Sequence, residues 1–373
     1  MKSLVLKALA IFLVLYLVAP STMVHSEAII SVTDPEGDDR GPGYYGYPGN
    51  EVFVPGVFDL TKFEVYVEDN DVVFKVYVKN LGGNPWSGPN GFCLQYVHIY
   101  VRTTAPLPVR MDTIGLNIMF RPEYAWHFAL LLAPGWEESP TPFGQRAALY
   151  LPTEVVVQDT GFKVYAEPEN NAIVARVSKD LIPDVENIAS WTIVVALTSY
   201  DGFGPARVRP VSPTGGEWVI NGTAYATPDK VKKIAQAITL GIEPRVMDLI
   251  VYSADYPNGI TADEQYNWLD SYNVDLRLPA FIPGIILAPV TVTQTVTQTQ
   301  TTTQTLTQTL TETLEKTITE TQTKTQTIER TITTVSISPT TVTQTVTDWT
   351  TTGVIAVILL IIGVAIGYVI KRR

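Results

Sequence analysis

The sequence predicts a mainly β protein: a β-sandwich with one or two peripheral helices, then a Thr-rich extended stalk and a single C-terminal transmembrane helix. Three observations lead to this prediction. Short stretches that alternate apolar and polar residues recur between loops rich in Gly and Pro, which is typical of sandwiches. Thr occupies almost every second position of residues 291–347. Residues 353–370 are apolar and uncharged.

Residues 1–26 have the features of a secretory signal peptide. Lys2 and Lys7 precede the apolar run 8–18, and Val24 and Ser26 suit cleavage after Ser26. An uncleaved membrane anchor is the alternative. In either case we expect the following domain to lie outside the cell.

Residues 27–284 form the globular domain, and their pattern is mostly β. The stretches 63–67 and 73–78 alternate strictly and flank Asp69-Asn70-Asp71, which predicts a β-hairpin. Many short strands at this spacing predict a sandwich. The further strands expected are 93–101, 114–120, 126–132, 146–151, 155–157, 162–166, 172–177 and 191–198.

Two helices are expected near the end of this domain. Thr227 followed by Pro228 predicts that a helix begins here, and Gly241 predicts where it ends. The residues from Thr261 to Glu264 form a capping box that opens the second helix, which should run to about Ser271. We expect both helices to pack on the sandwich.

An acidic loop follows the start of the domain. Asp34, Asp38 and Asp39 supply hard oxygen ligands, and Gly37 and Gly41 allow the backbone to turn so that carbonyl groups can join them. This combination suits Ca²⁺, although the spacing lacks the full EF-hand pattern. The alternative is that each short acid only caps local N–H groups in a turn.

Aromatic residues stand in turn-rich stretches rather than in strands. Flat rings in loops can stack on sugar faces, while Asn and Asp side chains orient the hydroxyl groups. Alternatively, the rings fold back as lids on the sandwich. The candidate ligand-binding residues are Tyr44, Tyr45, Tyr47, Trp86, Asn90, Tyr200 and Phe203.

The composition argues against several classes of function. A net charge of −11 leaves no basic stripe for nucleic acid. The single cysteine, Cys93, allows neither an intrachain disulfide nor a Cys-based zinc site, and we expect it to pack as a small hydrophobe. His98 and His127 lie in apolar alternating stretches, which favours packing over base catalysis. A glycosidase needs only two carboxylates, but no pair is singled out. We therefore expect no enzyme activity and no organic cofactor.

Two further features concern the loops. Arg207 and Arg209 can reach a carboxylate, and we expect that carboxylate in the acidic loop; the pair serves either as a structural clamp or as a ligand fork. Asn221-Gly-Thr223 is an N-glycosylation acceptor and predicts an exposed loop.

The C-terminal part predicts a spacer and an anchor. Residues 285–348 are a Thr/Gln-rich stalk, because such a composition cannot fill a core. A self-associating helical rod is the alternative, since Leu306, Leu310, Leu314 and Ile318 recur every four positions. Residues 349–370 are expected to span the membrane, with the basic tail 371–373 in the cytoplasm. The chain is thus expected to be a single-pass type I membrane protein.

The globular part resembles the C-terminal domain of glucodextranase, a β-sandwich module also found in amylopullulanases and prokaryotic surface proteins. The stretches that carry the resemblance are DPEGDDRGPGYYGYP (34–48), FDLTKF (58–63), NPWSGPNGF (84–92), SYDGFGPARVRP (199–210) and PRVMDL (244–249). Such modules look like sugar-binding and DOMON-type sandwiches, and they accompany catalytic domains rather than perform catalysis.

The resemblance implies a carbohydrate-binding module, with α-glucans as one ligand class, displayed on an archaeal-like cell surface. No catalytic barrel is present in this chain. The alternative is a structural cell-envelope protein, associated with an S-layer or acting as an adhesin, whose partners are other envelope proteins.

Overall fold

The structure is a computed structural model that describes residues 27–136, 146–151, 154–159 and 161–284 in full. It describes the segments 295–306 and 318–329 by their backbone alone. The predicted signal peptide, the rest of the stalk and the predicted transmembrane helix lie outside these residues. Among the residues described, no helix has the length and apolar character needed to cross a membrane. The chain divides into two units, Met1–Ile286 and Leu287–Arg373.

Most elements of the first unit are strands. The strands are β1 (Ile30–Thr33), β2 (Leu60–Glu68), β3 (Asp71–Val78), β4 (Gln95–Arg102), β5 (Ile118–Phe120), β6 (Phe128–Leu132), β7 (Ala148–Tyr150), β8 (Val155–Val157), β9 (Phe162–Glu167), β10 (Ala172–Ser178), β11 (Thr192–Ser199), β12 (Val211–Ser212), β13 (Ile220–Asn221), β14 (Asp248–Tyr252) and β15 (Ala280–Ile282). The helices are α1 (Pro228–Leu240) and α2 (Ala262–Leu269). Short 3₁₀ turns occupy Pro122–Tyr124, Pro168–Asn170, Lys179–Leu181, Val185–Ser190 and Pro205–Arg207.

Two antiparallel sheets dominate this unit. One has five strands in the order β1-β2-β3-β10-β9, and the other has six in the order β14-β11-β4-β6-β7-β8. The hairpin prediction is confirmed: β2 pairs with β3, and the turn between them contains Asp69 with a φ of 49°. Two short parallel pairs, β12 with β13 and β5 with β15, complete the strands.

Large side chains from both sheets share one core. Phe74 of β3 stacks on Trp191, which precedes β11, with ring centroids 6.5 Å apart. Phe128 of β6 meets the same indole edge-on at 5.6 Å. The two sheets therefore bury their apolar faces together, as in a sandwich. The prediction of a mainly β fold with few helices is confirmed, and the structure adds that the two large sheets are antiparallel.

The two helices form where their caps predict them. Gly241 ends α1 in the left-handed conformation, with a φ of 67°, and Ile234 and Ala237 are buried. In α2, the Thr261 side chain accepts from the Glu264 N–H, and the Glu264 carboxylate accepts from the Thr261 N–H. This helix ends at Leu269, slightly before the expected Ser271.

One strand prediction needs correction, and not every strand was predicted. The stretch 114–120 is a strand only over Ile118–Phe120, because Gly115 and Asn117 have φ values of 75° and 54°, which no strand accommodates. Strand β14 was not predicted. It reads Asp-Leu-Ile-Val-Tyr, and its first four residues are all buried, so it lacks the alternation that marks a half-buried strand.

The described backbone of the second unit is extended. Strands β16 (Thr295–Leu306) and β17 (Ile318–Glu329) pair antiparallel, with Thr295 opposite Glu329 and Leu306 opposite Ile318. Extended backbone is what a β-branched, Thr-rich composition favours. Leu306 and Ile318 thus lie in strands and not in a helix, whereas Leu310 and Leu314 lie outside the described residues.

Candidate functional site

An open cleft of about 1040 Å³ lies in the first unit. Its lining is mainly aromatic, and it also contains one carboxylate and two guanidinium groups. Clefts of this size and composition are typical ligand sites. The lining residues are Trp86, Trp136, Tyr200, Asp201, Gly202, Phe203, Arg207, Arg209, Pro210, Trp218 and Val219.

Two indole rings form one face of the cleft. Trp86 and Trp218 are 41% and 42% exposed, and their ring centroids lie 6.0 Å apart. Phe53 packs against both indoles, with its ring centroid 6.4 Å from that of Trp86 and 6.0 Å from that of Trp218. Since Phe53 is itself buried, the two indoles rest on a fixed support while remaining open to solvent.

Phe203 stands at the tip of the neighbouring loop 201–209, and its ring is fully exposed. Its N–H donates to the Asp201 carboxylate at 2.9 Å, and Arg207 donates to the Gly202 carbonyl. Ala206 and Arg207 both have positive φ values, 54° and 61°. Non-glycine residues adopt this conformation only when their surroundings impose it, so the loop is tightly constrained.

Arg209 connects loop 201–209 to the indole wall, the face of the cleft formed by Trp86 and Trp218. It is only 4% exposed and donates to the Ser199 hydroxyl at 2.8 Å and to the carbonyls of Tyr200 and Trp218 at 2.7 Å each. Burial lowers the pKa of the Arg209 guanidinium. The Asp201 carboxylate, whose Oδ2 lies 3.7 Å from Nη1 of Arg209, raises this pKa and so offsets part of the effect of burial. Arg209 therefore acts as a structural clamp, and its carboxylate partner is Asp201 rather than an acid of the acidic loop.

The structure separates the candidate ligand-binding residues into two groups. Trp86, Tyr200 and Phe203 come together in the cleft, where Tyr200 is buried and packs on Trp136 at 5.6 Å. Asn90 lies elsewhere. It is buried, and its Nδ2 donates to the Ala133 carbonyl at 2.8 Å.

Tyr44, Tyr45 and Tyr47 do not form an exposed platform. Tyr44 and Tyr45 are 3% and 1% exposed, and the Tyr45 hydroxyl donates to the Pro244 carbonyl at 2.8 Å. Tyr47 is half-buried and donates to the Asp39 carboxylate. These rings fold back on the sandwich, which is the alternative that the sequence left open.

Trp136 and Trp218 line the cleft but were missed in the sequence. Each has a glycine within two residues: Trp136 follows Gly135, and Trp218 comes two residues after Gly216. Trp86, which was identified, has the same setting. The local signal was therefore available at all three tryptophans.

Three carboxylates meet at the acidic loop. One oxygen each from Asp34, Asp38 and Asp248 lies within 4.8 Å of the other two. Burial, as the larger cause, and repulsion from neighbouring acids, as the smaller one, raise the pKa of Asp34 to about 10. Burial also raises the pKa of Asp38 to about 7 and that of Asp248 well above its usual value. Asp39 faces Tyr47 and is not in this cluster.

The N-glycosylation acceptor does not lie in an exposed loop. Asn221 is half-buried at the end of β13, where its backbone pairs with Gly46. Its side-chain oxygen accepts from the Thr223 N–H at 3.1 Å. The expectation of an exposed loop at this position is therefore wrong.

One family comparison covers the whole of this architecture. A family model described as the SLH-like C-terminal binding module of glucodextranase matches residues 29–284, about two thirds of the chain. No curated protein matches the chain. The family description names a binding module and not a catalytic domain, in agreement with a non-enzymatic role. Since the match spans both sheets, the aromatic cleft and the acidic cluster, the chain belongs to the family of glucodextranase C-terminal binding modules.

Proposed function

We propose that the protein is a non-catalytic glycan-binding module and that the cleft lined by Trp86, Trp218 and Phe203 is its binding surface. The observation that carries this proposal is the gathering of three exposed rings beside the Asp201 carboxylate in one open cleft. Exposed rings of this size are costly to leave in water unless a ligand covers them.

The chemistry of the lining suits a sugar chain. The apolar C–H face of a pyranose packs on an indole or phenyl ring, and its hydroxyl groups donate hydrogen bonds to carboxylates and accept them from guanidinium groups at the edge. Trp86 and Trp218 supply the rings, and Asp201 and Arg207 supply polar groups. Because Phe53 and Arg209 already fix the walls, binding orders few side chains and loses little entropy.

α-Glucans are the first ligand class to test. The family is named for glucodextranase, and its matching module is a binding module. The cleft also has space for several sugar units, since about 1040 Å³ exceeds the volume of one pyranose severalfold.

The rival function is structural: a cell-envelope component or adhesin that binds proteins rather than sugars. That role would call for a continuous apolar patch. The large apolar side chains exposed outside the cleft include Leu107, Val109, Leu276 and Leu278, each less than half exposed. Aromatic rings gathered in a cleft beside a carboxylate favour glycan binding over this structural role.

A glycan array probed with the full chain tests the proposal. We expect binding to α-glucan oligosaccharides, and we expect Trp218→Ala to lose it. Tyr225→Ala is the matched control, because Tyr225 is 59% exposed but does not line this cleft. An array without any α- or β-glucan signal would contradict the proposal and leave the structural role.

We further propose that the module is displayed outside the cell on the Thr-rich stalk and anchored by residues 349–370. The support is the uncharged apolar stretch 353–370 followed by a basic tail. Alkaline carbonate extraction of membranes checks it: the full chain should stay in the pellet, and a chain ending at Asp348 should be released. Release of the full chain by carbonate would contradict the anchor.

A further inference from the structure

The acidic cluster of Asp34, Asp38 and Asp248 joins two distant segments of the chain. Asp34 directly follows β1, Asp38 lies in the loop after it, and Asp248 is the first residue of β14. β1 is an edge strand of the five-stranded sheet, and β14 is an edge strand of the six-stranded sheet. Three carboxylate oxygens within 4.8 Å of one another therefore lie where the two sheets meet.

Three of the six carboxylate oxygens in this cluster lack the partners that buried acids normally have. Asp38 is 3% exposed, and its Oδ1 is enclosed without a hydrogen-bond partner. Both carboxylate oxygens of Asp34 are also enclosed and unpartnered. Within residues 27–136 and 161–284, no Lys, Arg or His forms an ion pair with any of the three acids. Uncompensated buried charge of this kind is strongly destabilising.

Two neighbouring acids outside the cluster, Asp59 and Asp39, do have partners in the protein. Asp59 accepts from the Gly37 N–H at 3.0 Å and lies 3.6 Å from the Lys79 ammonium. Asp39 accepts from the Tyr47 hydroxyl. Each of these two carboxylates thus has a partner in the protein, whereas both oxygens of Asp34 and Oδ1 of Asp38 have none.

The surrounding hydrogen bonds hold the cluster in place. Gln265 of α2 is fully buried; its amide donates to the Asp38 carbonyl at 2.8 Å and accepts from the Leu249 N–H at 2.7 Å. The two oxygens of Asp248 accept from the N–H groups of Leu249 and Leu60. Each carboxylate oxygen has two acceptor sites, so Asp248 can still bind a cation.

We propose that Asp34, Asp38 and Asp248 bind one Ca²⁺ ion that fastens the edges of the two sheets together. Carboxylate oxygens are the ligands of hard cations, and the cluster contains neither the His nitrogen nor the Cys sulfur that zinc prefers. Backbone carbonyls and water would supply the remaining ligands. The site is separate from the aromatic cleft, so this proposal does not depend on glycan binding.

Thermal unfolding of the full chain in EGTA and in millimolar CaCl₂ tests the site. At a calcium concentration about 100 times Kd, we expect the Tm of the wild type to rise by roughly 5–10 °C. Asp38→Asn should abolish that rise. In EGTA the same variant should melt at or above the wild-type temperature, because a neutral amide replaces one of three acids crowded together in a buried site.

Asp39→Asn is the matched control, since it changes the adjacent acid outside the cluster and should keep the calcium-dependent rise. Circular dichroism verifies that each variant is folded, and calorimetric titration with CaCl₂ should give one ion per chain. A wild-type Tm that CaCl₂ leaves unchanged would overturn the proposal. So would an equal rise in Asp38→Asn, or a larger stabilisation by MgCl₂ than by CaCl₂.

Discussion

His98 lies in the middle of β4, fully buried between Tyr96 and Tyr100. Its Nδ1 shares a hydrogen bond of 3.0 Å with the Tyr100 hydroxyl, and its Nε2 is enclosed without a partner. Burial lowers the pKa of the imidazole to about 3. The side chain is therefore neutral and cut off from solvent, which agrees with packing and not with base catalysis.

This residue should make the protein sensitive to acid. Between its unfolded pKa of 6.5 and its folded pKa of about 3, the unfolded chain binds a proton that the folded chain does not, so stability falls as the pH falls. From pH 7 to pH 5 we expect His98 to cost about 2 kcal/mol. His98→Leu should remove that part of the loss, as measured by urea unfolding at both pH values. Equal losses in the wild type and the variant would contradict this.

At the scale of elements, local signals explain the hairpin and both helices. Each of these forms from neighbours in sequence: a two-residue turn, a Pro at the helix start, a capping box, a Gly stop. The two helix starts differ in one respect. The Thr261 side chain makes its capping bond, whereas Thr227 makes no side-chain bond at the start of α1.

Thr261→Ala should therefore destabilise the protein by about 1 kcal/mol, the usual effect of losing an N-cap bond. Thr227→Ala is the matched control and should change the free energy of unfolding by much less. Urea unfolding of both variants measures the difference. Equal destabilisation at the two positions would contradict the assigned caps.

Strands β1 and β14 mark the limit of what local pattern predicts. Strand β1 has only four residues, and β14 is buried through its first four. Strand β1 alternates over only four residues and β14 does not alternate, so neither gives the sustained signal of a longer strand with one face in water. Such strands are specified by their partners in the sheet, which a single sequence does not reveal.

At the scale of the whole molecule, both candidate sites are assembled from distant segments. The sequence singled out Asp34 and Asp38 but not Asp248, which completes the cluster from β14. It singled out Trp86 but not Trp218, which lies beside it in the cleft. Loop composition therefore identified part of each site, and the rest required the fold to bring distant segments of the chain together.

The central claim is that the indole wall of the cleft binds glycans. Calorimetric titration of maltoheptaose into the wild type and into Trp86→Ala/Trp218→Ala tests it most directly, with Tyr225→Ala as the control. We expect measurable binding by the wild type and the control, and a loss of at least about tenfold in affinity, or some 1.4 kcal/mol, in the double variant. Unchanged affinity in the double variant would contradict the account.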